Sequence, residues 1–138
     1  MANDTFRLII LTPYGAYLDQ QATFLEVHSD DYNLGILPNH APLISTVAIS
    51  KMVVRNSRGN EDVYAIGGGV IQIENNVVTL LLNSIERKDE INLLRAEESK
   101  KRAENRLEES VDDDAIDVSR AKAALLRAVN RIKIGSKN

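Results

Sequence analysis

The sequence predicts a compact antiparallel β-sandwich or β-barrel followed by two α-helices, with the boundary near residue 86. All six aromatic residues and all three prolines precede that boundary. No glycine or proline occurs from residue 70 to residue 134, and the last part of this stretch is charged, rich in alanine and spaced as a helix. We therefore expect a β domain over residues 1–86 and a helical hairpin over residues 87–138.

Short aliphatic and β-branched segments between turn residues predict the strands. Turn residues stand at Thr12-Pro13-Tyr14-Gly15, at residues 56–60 and at residues 74–76. Many short strands at regular spacing favour an antiparallel sandwich or barrel. The predicted strands cover residues 6–10, 24–27, 43–49, 52–55, 62–66, 70–73 and 77–82.

The spacing changes at Asp89, which we predict to cap a first helix that runs to about Ser110. The aspartates at residues 112–114 are predicted to cap a second helix that ends at Gly135. Two helices joined by a short loop pack antiparallel. The facing residues are predicted to be Asn92, Ala96, Ser99, Ala103 and Leu107 on the first helix and Val118, Ala121, Leu125, Ala128 and Ile132 on the second.

These helix faces are rich in alanine, which buries little apolar surface and therefore holds a hairpin weakly. Two alternatives follow. The hairpin is either an arm that leaves one partner surface for another or a permanently docked element. The pattern favours neither alternative over the other.

Composition excludes several classes of function. The chain has 138 residues, no cysteine and a formal net charge of −3, so it has no disulfide or thiolate metal site, and we expect no metal and no nucleic-acid partner. No apolar run approaches the roughly 18 residues of a membrane span. The charge is uneven, because residues 119–138 contain six basic residues and no acidic one.

No catalytic constellation is evident. The two histidines, His28 and His40, stand in a strand pattern and in a loop, and no zinc-protease helix, nucleophile elbow or Walker loop occurs. Gly67-Gly68-Gly69 leads into a strand, which favours a bulge or a close strand approach over a phosphate cradle. Asp30 and Asp31 suit a solvated turn better than a reactive carboxylate pair. We therefore expect a non-catalytic protein.

The loop at residues 33–42 suits a docking surface. It contains two prolines, one glycine and four aliphatic residues, a composition typical of a stiff, partly apolar surface loop. His40 is expected to hydrogen-bond to nearby backbone.

Arginines on both predicted helices form the sharpest candidate site. Arg95 and Arg102 share one face of the first helix, and Arg120, Arg127 and Arg131 share one face of the second. In a folded hairpin Arg95, Arg102, Arg127 and Arg131 can converge on a polyphosphate, which guanidinium groups bind in bidentate geometry. In an extended arm the second helix can instead meet an acidic protein surface. A solvated basic face is the third alternative.

Four stretches, taken in order, carry a resemblance to a known family. They read LGILPNHAPL at residues 34–43, AIGGGVIQI at residues 65–73, VVTLL at residues 77–81 and INLLRA at residues 91–96. In combination with two terminal helices they are highly specific, although each alone is weak. The chain resembles the epsilon subunit of bacterial F-type ATP synthase, which implies a ten-stranded antiparallel β-sandwich followed by an α-helical hairpin.

The resemblance implies a non-catalytic subunit of the central stalk of a proton-translocating ATP synthase. Such a subunit binds the gamma subunit and the ring of c subunits at the cytoplasmic face of the bacterial plasma membrane, couples rotation to ATP synthesis and restrains ATP hydrolysis. By analogy, the ring-facing end contains Asp30, Asp31, Tyr32, Asn33, Pro38 and His40. The extended second helix is expected to approach acidic segments of the alpha and beta subunits through Arg120, Lys122, Arg127, Arg131 and Lys133.

Some relatives bind ATP on the folded hairpin through an Ile/Leu-Asp-x-x-Arg-Ala motif, so ATP is expected as a regulatory ligand and no cofactor is required. The chain departs from the motif at Asn92, which replaces an acceptor-only carboxylate by a mixed donor and acceptor. We expect affinity in the millimolar range or weaker, or no binding. The alternative function is a freestanding ATP-sensing module. The matching positions are Glu86, Ile91, Asn92, Arg95, Ala96, Arg102, Arg127 and Arg131.

Overall fold

A computed structural model describes residues 4–136 and separates the chain into two compact units, one ending at Arg87 and the other beginning at Lys88. The β unit contains β1 (Phe6–Thr12), β2 (Gly15–His28), β3 (Asn33–Ile36), β4 (Leu43–Asn56), β5 (Glu61–Glu74), β6 (Val77–Leu82) and β7 (Ile85–Arg87). The helical unit contains a 3₁₀ turn (Lys88–Glu90), α1 (Leu93–Glu109) and α2 (Val118–Gly135).

The strands of the β unit form one sheet that closes on itself. Neighbouring strands follow the order β1-β6-β5-β4-β2-β3, and β1 also pairs with β2. Strands β1, β6, β5, β4 and β2 therefore make a closed, barrel-like ring. β3 extends the sheet beside β2, and β7 pairs with β5. The ring closes where residues 22–26 of β2 pair with residues 53–56 of β4, and the rest of β4 is paired along one edge, with β5.

The predicted ten-stranded, all-antiparallel sheet is wrong in two respects. Residues 4–136 contain seven strands, and β1 pairs with β6 in parallel, from Arg7 opposite Val77 to Leu11 opposite Leu81. The parallel pair has a geometric cause. Strand directions cannot alternate all the way around a closed ring with an odd number of strands, so one pair must run parallel.

Two of the predicted breaks between strands are absent. β4 and β5 are each 14 residues long, and each replaces two shorter predicted strands. No turn residue interrupts β4, and the glycines of β5 remain in the sheet. β5 changes partner along its length instead of ending, pairing with β7 near its start and with β6 near its end. Backbone pairing between β4 and β5 thus merges four predicted strands into two, whereas β3 and β7 are strands that the pattern did not predict.

The interior of the β unit is apolar. Along β1, Phe6, Leu8 and Ile10 are buried while Arg7 between them is exposed, as expected for a strand with one buried face. Among the described residues no polar or charged side chain is buried. Each fully buried large aliphatic side chain contributes about 1.5–3 kcal/mol. The other core residues are Ala22, Leu25, Val27, Ile36, Val47, Met52, Val54, Tyr64, Ile66, Ile71, Ile73, Val78, Leu80 and Leu82.

Gly67, Gly68 and Gly69 lie inside β5, where neighbouring backbone comes close. A Cβ atom on Gly69 would overlap the carbonyl oxygen of Leu81. The N–H of Gly67 donates to the carbonyl oxygen of Ser84 at 2.9 Å. The prediction of a close strand approach is confirmed. The alternative of a phosphate cradle is wrong, because this stretch is strand backbone packed against the β6–β7 connection.

Both helices begin at a capped residue. The Oδ1 atoms of Asn92 and Asp117 accept hydrogen bonds from the N–H groups of Arg95 and Arg120, at 3.1 Å each. The predicted caps are wrong, because Asp89 lies in the 3₁₀ turn before α1 and the three consecutive aspartates lie in the connection before Asp117. Asp and Asn are equally suited to capping, so residue type alone does not identify the capping position.

Small side chains line the contact between α1 and α2. The buried alanines are Ala96 and Ala103 of α1 and Ala121 and Ala128 of α2. This confirms an alanine seam. A Cβ atom on Gly135 would lie 3.0 Å from both Ile91 Cγ2 and Leu93 Cδ2, so the end of α2 lies beside the start of α1 and the helices run antiparallel. Within residues 4–136, neither helix has the length and apolar character needed to cross a membrane.

Candidate functional site

The β2–β3 turn forms a polar tip at one end of the β unit. Asp30 and Asp31 are exposed, which confirms a solvated turn. The N–H of Ser29 donates to the carbonyl oxygen of Tyr32 at 2.8 Å, and the Tyr32 hydroxyl is hydrogen-bonded to Ser45 Oγ at 2.8 Å. The turn is therefore fixed both internally and against β4.

His28 and Asn33 face each other where β2 ends and β3 begins. The Nδ1 atom of His28 is hydrogen-bonded to Oδ1 of Asn33, and a carboxylate oxygen of Glu26 lies 3.8 Å from His28 Nε2. The bond between His28 and Asn33 joins the two strands next to the turn, whereas the contact with Glu26 lies within β2. His28 thus has a structural role.

The loop between β3 and β4 is held by hydrogen bonds to backbone groups. Asn39 has a left-handed backbone with φ of 65°, and its N–H donates to Oδ1 of Asn76 at 2.7 Å. His40 Nδ1 is hydrogen-bonded to the carbonyl oxygen of Ala41 at 2.7 Å, which confirms the expected role of His40. Leu37 is 61% exposed, so the loop presents an aliphatic side chain to its surroundings.

The structure brings the turn and this loop to the same end of the β unit. β2 ends there, β4 begins there, and the β5–β6 turn that contains Asn76 lies there too. Sequence reasoning missed Asn76. Its only sequence signal is the Asn75-Asn76 turn, which does not reveal a bond to a residue 37 positions away. This end contains the residues that were predicted from the sequence to face the c-ring. They are Asp30, Asp31, Tyr32, Asn33, Pro38 and His40.

In the helical unit, four arginines each precede a buried alanine by one residue. We call them the arginine row: Arg95, Arg102, Arg120 and Arg127. One residue corresponds to a rotation of about 100° about the helix axis, so every arginine is displaced from the alanine seam in the same sense. Because α1 and α2 run antiparallel, displacement in the same rotational direction places all four arginines on one side of the hairpin.

The antiparallel register sets the level of each arginine. Since the end of α2 lies beside the start of α1, Arg131 is level with Arg95 and Arg127 is level with Arg102. Arg95 and Arg102 are exposed, whereas Arg127 and Arg131 are half-buried. Seven of the residues predicted to bind ATP lie in the helical unit, and Glu86 lies on β7 in the β unit.

The five basic residues predicted for an inhibitory helix divide between two faces of α2. Lys122, Leu126, Val129 and Lys133 follow one another at spacings of four, three and four residues, which places them on one face. All four are exposed, with Leu126 at 59% and Val129 at 42%. We call this face the lysine stripe. The arginines of α2 lie instead on the side occupied by the arginine row.

Asn92, where the sequence departs from the ATP-binding motif, is the N-cap of α1. Its side-chain oxygen accepts the N–H of Arg95 at 3.1 Å. An aspartate accepts the same hydrogen bond and adds a negative charge at the positive end of the helix. The departure therefore preserves the helix start and removes one charge from the candidate site.

An ion pair joins β1 and β2 on the outside of the β unit. Arg7 donates to both carboxylate oxygens of Asp19, at 3.0 Å from Nε and 2.7 Å from Nη2. The hydrogen bond from Arg7 lowers the pKa of Asp19 below its ordinary value, and the bond to Asp19 raises the pKa of Arg7. Both side chains are about half exposed, so the ion pair links β1 and β2 at the protein surface.

The β unit has a polar end held by hydrogen bonds, and the helical unit has two cationic faces. Among residues 4–136 no group of metal-ligating side chains could hold a metal ion. These features are those of a β domain followed by a helical hairpin with two cationic faces.

Residues 5–88 match the family described as ATP synthase, Delta/Epsilon chain, beta-sandwich domain, and residues 89–135 match ATP synthase, Delta/Epsilon chain, long alpha-helix domain. The chain therefore belongs to the delta/epsilon family of non-catalytic ATP synthase central-stalk subunits. The resemblance inferred from the sequence is confirmed.

Solved structures of mitochondrial ATP synthases contain similar chains. One of them belongs to the Euglena gracilis mitochondrial ATP synthase, in an assembly of OSCP, F1 and c-ring in rotational state 1. It matches with a TM-score of 0.78 and 17% sequence identity, and the match covers 92% of this chain and 79% of that chain. Another, in the Tetrahymena thermophila central stalk and c-ring, has a TM-score of 0.55 at 13% identity over 62% of this chain and 69% of that chain. At these identities the similarity shows a shared fold.

Proposed function

We propose that this chain is an epsilon-type subunit of a proton-translocating ATP synthase. It couples rotation between two parts of that enzyme, the gamma subunit with its c-ring and the catalytic head. The observation that carries the proposal is the pair of matched domains, in order, over residues 5–88 and 89–135. In this proposal the subunit lies at the cytoplasmic face of a bacterial plasma membrane, is held there only by the complex and requires no cofactor.

In this proposal the end of the β unit with the β2–β3 turn faces the c-ring. Three features support the assignment: the turn is fixed by hydrogen bonds, its acidic side chains are exposed, and Leu37 presents an aliphatic surface. Both similar structures come from assemblies that include a c-ring. A rigid surface suits this role because little conformational entropy is lost on docking.

Co-purification tests the docking role. A tagged full-length chain is expected to retain the gamma subunit and c-ring, and Asp31→Lys is expected to weaken that retention because it reverses a charge at the tip. Arg58→Glu reverses an exposed charge in the β4–β5 turn, at the other end of β4, and serves as the matched control. Equal retention by both variants would argue against a ring-facing tip.

We further propose that α2 restrains ATP hydrolysis by meeting acidic segments of the alpha and beta subunits. α2 contains no acidic residue, and its lysine stripe flanks two exposed aliphatic residues with cations. Such a face is complementary to an apolar surface bordered by carboxylates. The arginines of α2 lie on a different face, so one helix can serve both this contact and a polyphosphate.

Truncation after Glu86 tests the inhibitory arm. The assembled enzyme is expected to hydrolyse ATP several-fold faster while coupled rotation is largely retained. Lys122→Glu is expected to relieve inhibition in part, and Lys101→Glu, an equal charge change on an exposed residue of α1, is expected to leave it intact. An unchanged hydrolysis rate on truncation would refute an inhibitory arm.

A second proposal is that ATP binds Arg95, Arg102, Arg127 and Arg131 as a regulatory ligand and favours the closed hairpin. Its support is the set of four arginines displaced to one side of the alanine seam. To move a two-state arm from 1:99 to 99:1, a ligand must bind one state about 5.5 kcal/mol more tightly. With a dissociation constant in the millimolar range, ATP at millimolar concentration changes the equilibrium by RT ln(1 + [ATP]/Kd), about 0.4–1 kcal/mol, which is only a partial shift.

Titration of ATP against the isotope-labelled chain tests this proposal. The amide signals of Arg95 and Arg127 are expected to move, Asn92→Asp is expected to tighten binding, and Lys101→Ala is the control away from the row. Unmoved signals at both arginines would reject the site. Tight ATP binding by a chain that retains neither the gamma subunit nor the c-ring would favour the alternative, a freestanding ATP-sensing module.

A further inference from the structure

Asn76, in the β5–β6 turn, joins three distant segments of the β unit. Its Oδ1 accepts the N–H of Asn39 at 2.7 Å, and its Nδ2 donates to the carbonyl oxygen of Thr5 at 2.8 Å. Its own carbonyl oxygen accepts the N–H of Arg7 at 3.2 Å. The two side-chain bonds span 37 and 71 residues of sequence. We call this arrangement the Asn76 clasp.

The backbone on both sides of the clasp is left-handed. Asn39, Asn75 and Asn76 have φ values of 65°, 53° and 61°, a region that few residues other than glycine and asparagine adopt readily. In the β5–β6 turn, two consecutive left-handed residues produce the tight hairpin type that matches strand twist. In the β3–β4 loop, the left-handed backbone of Asn39 bends the chain. The direction of that bend depends on the hydrogen bond that the N–H of Asn39 donates to Oδ1 of Asn76.

The clasp connects a loop that has few backbone donors of its own. Pro38 and Pro42 lack an N–H group, and the His40 ring bonds to the adjacent Ala41, a contact that stays inside the loop. The bond from Asn39 to Asn76 instead runs from the loop to the sheet. Because the other end of the Asn76 amide is held by Thr5, the acceptor cannot turn away without losing a second hydrogen bond.

We propose that Asn76 is a positioning residue for the docking loop. By holding Asn39, it fixes the orientation in which Leu37, Pro38 and His40 are presented to the stalk and ring partners. This inference rests on the proposed function of the ring-facing end. It adds a residue outside the loop, on another turn, to the set that determines docking.

Three variants of the full-length chain separate positioning from general stability. Asn76→Gly keeps the left-handed backbone at no steric cost but removes both side-chain bonds. Asn75→Gly makes the same change one residue earlier, in the same turn, and leaves the clasp intact. Asn76→Asp keeps an acceptor for Asn39, but it replaces the donor to Thr5 by a second carboxylate oxygen that the Thr5 carbonyl repels, so it is the intermediate variant of the series.

Two readouts are needed. Amide hydrogen exchange at Asn39 is expected to become about tenfold faster in Asn76→Gly, because the lost bond exposes that N–H, while the core amide of Ile71 keeps its protection. Affinity for the purified subcomplex of gamma subunit and c-ring is expected to fall about tenfold in the same variant, which corresponds to about 1.4 kcal/mol. Asn75→Gly is expected to match the unmodified chain in both measurements, and Asn76→Asp is expected to lie between the unmodified chain and Asn76→Gly.

The outcomes are distinguishable. Unchanged exchange at Asn39 in Asn76→Gly would overturn the clasp, and unchanged affinity despite faster exchange would overturn its role in docking. An equal loss of affinity in Asn75→Gly would assign the effect to the turn and also overturn the inference. If the unmodified chain does not bind the subcomplex, the proposed function fails together with the docking role, whereas exchange at Asn39 still reports whether the clasp holds the loop.

Discussion

The β unit and the helical unit bury side chains of very different size. Leu8, Ile10 and Leu80 represent a core of many large aliphatic residues with no exposed surface in the β unit, whereas the buried side chains of the two helices are four alanines and Ile134. A fully buried large aliphatic side chain contributes about 1.5–3 kcal/mol, and a single CH₂ group about 0.8 kcal/mol. Each contact between α1 and α2 is therefore worth a fraction of a contact in the barrel.

The difference in the size of the buried side chains indicates which unit opens at lower free energy. A closed hydrogen-bonded ring around a dense core opens only with the whole β unit. A hairpin held by small side chains, two caps and one close contact at Gly135 opens at lower free energy, as is general for elements with few buried apolar contacts. The chain thus combines a β unit with a dense core and a helical hairpin of lower stability.

The largest expected effect comes from the core of the β unit. Leu80→Ala is expected to lower the free energy of unfolding by about 2–5 kcal/mol, because it leaves a cavity where a leucine was fully buried. The neighbouring Leu81, which is 53% exposed, provides the control, and Leu81→Ala is expected to cost under about 1 kcal/mol. Urea denaturation followed by circular dichroism measures both. Similar losses would contradict the assignment of the two faces of β6.

Overpacking the alanine seam should have the next largest effect. Ala103→Leu is expected to destabilise the closed hairpin by about 1–3 kcal/mol, while Leu and Ala have nearly equal helix propensity. Asn105→Leu adds a leucine to the exposed side of α1 and is the control. Amide hydrogen exchange is expected to accelerate across α1 and α2 only in Ala103→Leu, with the β unit unchanged. Acceleration in the β strands as well would show that the two units do not open separately.

Removal of a helix cap is expected to have a smaller effect. Asn92→Ala and Asp117→Ala are each expected to cost about 1 kcal/mol, because each leaves an N–H at a helix start without its acceptor. Thermal melting followed at the helical circular dichroism band measures the loss. Asp112→Ala changes an exposed aspartate of the connection and is expected to have little effect. A comparable loss there would indicate that the cap of α2 has been misplaced.

The surface ion pair is expected to give the smallest effect, and one that depends on pH. Because the pKa of Asp19 is lowered in the folded chain by the hydrogen bond from Arg7, the unfolded chain takes up a proton first as the pH falls. The stabilisation is therefore present above the ordinary aspartate pKa, about 3.9, and is lost as the pH falls through the lower folded value.

Melting temperatures measure this dependence. Asp19→Asn is expected to melt below the unmodified chain at pH 7, and the difference is expected to close in acid. In an Arg7→Gln background the same substitution is expected to have no pH-dependent effect. A difference that persists below the folded pKa would exclude ionisation of Asp19 as its cause.

Much of the fold could be predicted because alternation along the strands and the alanine spacing along the helices are local signals. The length of β4 and β5 could not, because strands end at turn residues and these two continue across positions where a break was expected. The parallel pair could not be predicted either. It follows from the number of strands in the closed ring, which no segment of sequence specifies.

The candidate sites show the same division. The hydrogen bond of His40 to adjacent backbone and the shared side of the arginines follow from local geometry, and both could be anticipated. The contact of Asn76 with Asn39 depends on how two distant turns meet. The caps at Asn92 and Asp117 were missed for a different reason, since several equivalent capping residues precede each helix.

The parallel pairing of β1 with β6 also determines when the β unit can be completed during synthesis. β1 can pair with β2 as soon as both leave the ribosome, but its other edge waits for residues 77–82. The pairing of β1 with β6 joins residues that lie about seventy positions apart in the sequence. The entropic cost of closing this loop therefore arises last. Until then the free edge of β1 is a template for pairing with another chain. A nascent chain that stalls before residue 77 is thus most exposed to aggregation, and the arrival of β6 ends that exposure.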